Sequence, residues 1–233
     1  MSAILFNVTT ALLMVLMLRA GVLLIGEDTI RRRPVPYAAV AVTAVAVGAV
    51  VLQLCWSGAM DALDGDPRES GWWRGVTSVF MQNGGVFGAV WNIVTLAVIA
   101  ALAQWFWGAP LMLVLLAAGI LLPEHVDALF GEPARSADPR GFAGSSGATY
   151  FLAATLAAGL ALTASTPKRR VPAVCAPAAG LAMWLAQENG HGLVTCCGFA
   201  LGGAVLLIGR RLPIRFAPGT AATAVPPSAA TEG

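Results

Sequence analysis

The 233-residue chain has little of what a soluble domain needs: only 11% of its residues are charged, its single lysine is Lys168, and it has two tyrosines and two histidines. So few charges against 58% hydrophobic residues and a mean hydropathy of +0.76 exclude an ordinary soluble fold. The net charge of +2 gives no basis for a nucleic-acid partner. There is no H-E-x-x-H, and Glu124-His125 with Asp127 is too sparse for zinc, so no metal and no cofactor is implied. No aspartate falls inside an apolar run, which argues against an aspartyl pair, and Lys168 stands at the wrong end of its span to serve a serine. The four cysteines, Cys55, Cys175, Cys196 and Cys197, lie in apolar segments and read as free thiols.

What is present is a series of apolar runs near 3–25, 37–56, 86–106, 109–122, 146–165, 171–187 and 191–209. A hydrocarbon core of about 30 Å needs roughly 20 such residues per crossing. The sequence therefore predicts an all-α membrane protein with an N-terminal span and six more. The first run has no basic n-region or A-x-A site and reads as an uncleaved helix, with Arg19 reaching toward one end. The clusters Arg31-Arg32-Arg33, Lys168-Arg169-Arg170 and Arg210-Arg211 alternate with connections that carry most of the acids. By the positive-inside rule these clusters face the cytoplasm, so long outer loops are expected at 57–85 and 123–145, with the N-terminus outside and the C-terminus inside. The last residues, 213–233, are rich in Ala, Pro and Thr and read as a disordered cytoplasmic tail.

Two residues stand out on this topology. Ser146 opens one span and His191 opens the last, at the same outer side after two further crossings. Ser146, Tyr150, Ala153 and Ala157 share one helical face, and so do His191, Thr195, Gly198 and Gly202. Small side chains let membrane helices approach closely. If these stripes face each other, hydroxyl and imidazole come within reach. Serine and glycine are also common wherever membrane helices pack, so Ser146 alone says little; its pairing with an ionisable group at one depth says more.

These residues resemble the rhomboid family of intramembrane serine proteases, over most of the chain. Gly144-Ser145-Ser146-Gly147 looks like the family's G-x-S-G, and Tyr150 matches the aromatic that packs on the catalytic imidazole. Asn189-Gly190-His191 with Gly198 and Gly202 is similar to the family's last helix. Trp73-Arg74-Gly75-Val76-Thr77 resembles W-R-x-x-T in the first outer loop, and the segment from Gly84 to Asn92 resembles G-G-x-x-H-x-x-x-N. The resemblance implies a six-helix rhomboid-like core over 31–212, with one extra N-terminal helix over 1–30. It implies a Ser146-His191 dyad that cleaves transmembrane protein substrates in the cell membrane, from a site facing outside. Asn92 and the Ser146 backbone N–H would meet the oxyanion, supported by Tyr150, Gly144, Gly147 and Gly198. No carboxylate is placed to orient His191, and packing against Tyr150 is expected to hold the ring.

The departures are specific. Gly88 replaces the family's oxyanion-stabilising histidine, Gln82 or Asn83 replaces a loop histidine, Gln104 replaces a glutamate, and Val194 replaces a glycine. The last three are expected to be structural. The lost donor at Gly88 predicts a slow protease, or alternatively a rhomboid-like protein that binds transmembrane segments without cutting them. A small transporter is disfavoured because ionisable groups are absent from most spans. Substrate identity and oligomeric state are left open by the sequence.

Overall fold

The computed structural model of the chain describes residues 3–65, 71–129 and 144–211. The expected tail over 213–233 and most of the second outer loop lie outside the described residues. The described elements are all helical: α1 (Ala3–Ile25), α2 (Glu27–Ile30), α3 (Tyr37–Cys55), α4 (Ala59–Leu63), α5 (Arg74–Thr77), α6 (Gly85–Trp107), α7 (Ala109–Leu129), α8 (Ser146–Thr163), α9 (Pro167–Gln187) and α10 (Gly190–Arg211).

Five of these, α1, α3, α6, α8 and α10, are long and apolar enough to cross a membrane, and α7 contributes the shorter apolar stretch Ala109–Leu122. The chain is therefore an all-α, multi-pass membrane protein. Seven apolar spans were expected, and α9 is not among those that qualify. Lys168, Arg169 and Arg170 occupy its first turn, and Pro172 and Pro177 lie within it. The expected start of the second loop at 123 also needs correction, because α7 continues as a helix to Leu129 and takes in Glu124, His125 and Asp127.

α8 is the centre of the bundle. α1, α6, α7, α9 and α10 all pack on it, and 72% of its apolar window is buried, against 11% for α3. Its sequence explains this, since Ala, Gly and Thr occupy most positions from Ala148 to Gly159 and leave room for neighbours on every side. α3 is apolar all round yet exposes Val40, Val45, Val47, Val51 and Leu54, which suits a helix surrounded by lipid. Its N-terminus is tied to α6, where Gln104 Oε1 accepts from the Ala39 N–H at 2.9 Å. Gln104 is thus structural, as expected.

Arg19, Arg169, Arg170 and Arg210 gather at the end of the bundle remote from Ser146. Arg210 donates to the Leu162 carbonyl near the end of α8, and Arg170 donates to the Ala164 carbonyl just beyond it. Arg169 reaches the Leu23 carbonyl near the end of α1, and Arg19 pairs with Glu27 there. Cations at helix C-termini complement the exposed carbonyls. None of the four cysteines, Cys55, Cys175, Cys196 and Cys197, forms a disulfide.

Candidate active site

The turn into α8 needs a glycine. Gly144 has φ +135°, and a Cβ there would lie 3.4 Å from Asn92 Nδ2 and 3.9 Å from Ser146 Oγ. Its N–H is held by the Ser78 carbonyl at 2.9 Å, which fastens the turn to the end of the first loop. Ser145 is the fully buried N-cap, and Ser146 is the first residue of the helix proper. Gly147 is different, because among the described residues a Cβ there would meet nothing within 4 Å.

On the other side, Glu188 adopts a left-handed conformation that ends α9 and turns the chain into α10. The buried Asn189 and then His191 follow directly. His191 Nε2 lies 3.1 Å from Ser146 Oγ. This contact joins residues 45 positions apart, and it depends on how closely α8 and α10 approach. A Cβ on Gly198 would lie 2.3 Å from the Phe151 carbonyl oxygen, and one on Gly202 would lie 2.6 Å from the Thr155 Cα.

The two facing stripes are not quite those expected. Gly198 and Gly202 meet Phe151 and Thr155, rather than Ala153 and Ala157, because α8 is surrounded and presents a different face to each neighbour. Thr195 also faces elsewhere: its hydroxyl approaches Met17 of α1, and its methyl and Cβ lie against Gly180 of α9.

Tyr150 packs edge-on against the His191 ring, with centroids 4.7 Å apart and planes at 63°. Packing on Tyr150 is as expected, and it is not the ring's only restraint. Asn189 Oδ1 accepts from the His191 backbone N–H at 3.0 Å and lies 3.1 Å from ring Nδ1. A backbone N–H can only donate, so the atom facing it is the amide oxygen. Nδ1 must then carry the ring proton, and Nε2 presents its lone pair to the Ser146 hydroxyl. Serine, histidine and asparagine form one hydrogen-bonded line.

Asn92, on the first turns of α6, lies beside the same turn. Its Nδ2 donates to Gln82 Oε1 at 2.7 Å, leaving its second N–H for another acceptor. Gln82 is itself pinned by Gln53 of α3, which donates from Nε2 to the Gln82 carbonyl at 2.8 Å and accepts the Gln82 N–H at 3.0 Å. Gln82 therefore does more than replace a loop residue, because it orients the Asn92 amide. Gly88 supplies no side-chain donor, and among the described residues outside its own helix a Cβ on it would find the Asn83 carbonyl oxygen, at 3.5 Å.

The N-terminal helix completes the surround. Phe6 stands edge-on to His191 at 6.3 Å, Tyr150 OH donates to the Thr10 carbonyl at 2.6 Å, and Asn189 Nδ2 donates to Thr10 Oγ1 at 2.9 Å. Of these residues, Asn189 had a sequence signal, since an asparagine two residues before a helical N–H commonly accepts from it. Thr10 and Gln53 had none, lying far from their partners in the chain. Trp73-Arg74-Gly75-Val76-Thr77 braces the first loop: Arg74 donates to the Asp61 carbonyl and pairs with Asp64 at 3.5 Å, and the Thr77 hydroxyl donates to the Leu63 carbonyl at 2.8 Å.

In comparison with known proteins, no family model matches the chain and no curated protein matches it at a significant level.

Proposed function

We propose that the chain is a rhomboid-like intramembrane serine protease that cleaves peptide bonds in or near the membrane segments of other proteins. The observation that carries the reading is the 3.1 Å approach of His191 Nε2 to Ser146 Oγ, with the lone pair aimed at the hydroxyl by Asn189. In this mechanism Ser146 Oγ attacks the peptide carbonyl carbon while Nε2 takes the hydroxyl proton, and the same proton then passes to the leaving amine as the C–N bond breaks. Water, deprotonated by Nε2, resolves the acyl-enzyme ester and frees the serine. Asn92 Nδ2 and the Ser146 N–H at the start of α8 are the oxyanion donors. The six-helix core would comprise α3 and α6 to α10, with α1 packed against it. The site would face outside, opposite the basic end of the bundle.

The glycine at position 88 supports a second reading, a rhomboid-like protein that binds transmembrane segments without cutting them. Fluorophosphonate labelling of the purified protein separates the two. Labelling of wild type, lost in both Ser146→Ala and His191→Ala, supports the protease. A wild-type serine that stays unlabelled while a known active rhomboid protease reacts in parallel overturns it and favours the binder.

A further inference from the structure

We infer that the N-terminal helix is part of the reaction site, with Thr10 as a positioning residue that holds Asn189, and through it the Nδ1–H form of His191. This rests on the proposed role of Ser146 and His191, and it concerns a helix that the sequence left outside the core.

α1 packs on α8 and α9, and more lightly on α6, along its buried residues Leu13, Met14, Met17 and Ala20. A mere anchor would need no polar bonds to the bundle. α1 instead makes three near its N-terminal end, all to residues around the catalytic pair. Thr9 Oγ1 donates to Gln187 Oε1 at 3.0 Å, the Thr10 carbonyl accepts from Tyr150 OH at 2.6 Å, and Thr10 Oγ1 accepts from Asn189 Nδ2 at 2.9 Å.

The bond to Asn189 matters most. Asn189 is fully buried, and its amide has two ends with opposite demands. The oxygen is committed to His191, both at the backbone N–H and at the ring. The nitrogen must then find an acceptor in the other direction, and that acceptor is the Thr10 hydroxyl. Without it a buried donor has no partner, and the amide relieves this by rotating or shifting away from His191. The ring then loses the acceptor that keeps its proton on Nδ1, and the Nε2–H form, useless as a base toward Ser146, becomes populated. Thr10 thus acts on the serine through two intermediaries, from a residue 179 positions away in the chain from Asn189.

The test uses the full chain in detergent, in a His125→Asn background so that His191 is the sole histidine. Ring nitrogen-15 spectra report its tautomer, and fluorophosphonate labelling reports the reactivity of Ser146. Thr10→Val removes the hydroxyl at nearly constant shape, Thr10→Ser keeps it, Thr10→Ala is a second deletion in case the valine variant does not purify, and Thr9→Val controls for general loosening of α1. The expected result is a single Nδ1–H form in wild type, Thr10→Ser and Thr9→Val. Thr10→Val or Thr10→Ala should show a mixture containing the Nε2–H form, with labelling about tenfold slower. A wild-type tautomer and labelling rate in the Thr10 deletions, or an equal change in Thr9→Val, overturns the inference. If wild type itself is not labelled, the protease reading fails, and the tautomer spectra still decide the role of Thr10.

Discussion

The side-chain oxygen of Asn189 faces both the backbone N–H and the ring Nδ1 of His191, at 3.0 and 3.1 Å. Two donors from one residue converge on one acceptor. This turns the Nε2 lone pair toward Ser146 Oγ, with an amide oxygen on the Nδ1 side of the ring. A neutral amide stabilises a developing imidazolium less than a carboxylate would, so the arrangement orients the ring more than it drives proton transfer.

Asn189→Leu is expected to slow fluorophosphonate labelling of Ser146 by roughly 10²-fold while the protein still purifies folded, because the substitution removes the acceptor that selects the tautomer. An unchanged labelling rate would mean that Tyr150 packing alone holds the ring.

Asn92→Ala should lower turnover of a membrane-anchored substrate by about 10² to 10³-fold. Covalent labelling of Ser146 should persist, since the serine and its base are untouched. Unchanged turnover would remove Asn92 from the oxyanion site.

Gly88→His should raise turnover by about tenfold, by adding a donor on the α6 turn before Asn92. Space permits the change, because among the described residues outside its own helix a Cβ would meet the Asn83 carbonyl oxygen alone within 4 Å, at 3.5 Å. A fall in turnover in a variant of wild-type stability would show that this position does not face the reacting carbonyl.

Gly198→Ala should destabilise the protein by about 1–3 kcal/mol, measured by thermal unfolding in detergent, since its Cβ would lie 2.3 Å from the Phe151 carbonyl oxygen. Gly203→Ala on the same helix should change stability by less than about 0.5 kcal/mol, because its Cβ would meet only Leu162 Cδ1, at 4.0 Å. Equal effects would show that the contact between α8 and α10 is looser than these distances require.

The candidate pair was legible in the sequence because topology is a one-dimensional property. Counting crossings put Ser146 and His191 at one depth, and the spacing of Gly198 and Gly202 marked a close helix contact. Which α8 residues meet those glycines was not legible. α8 is apolar on every face, so its periodicity gives no preferred side, and Phe151 and Thr155 took positions assigned to Ala153 and Ala157. Gln82 was legible only as a departure from the family pattern, since its bond to Asn92 depends on how the loop from α3 folds back.

Apolar run length and the position of charges, both local to the chain, determined by themselves that this is an all-α, multi-pass membrane protein, and which ends of its helices are basic. Tertiary structure alone decided that α1 bonds to Tyr150 and Asn189, that the Asn189 side-chain oxygen faces His191 Nδ1, and that Gln53 and Gln82 hold Asn92. The reason is physical: in a membrane nearly every helix is apolar, so hydrophobic pattern cannot rank their neighbours. Only packed backbones bring a hydroxyl on the first helix to an amide at the start of the last.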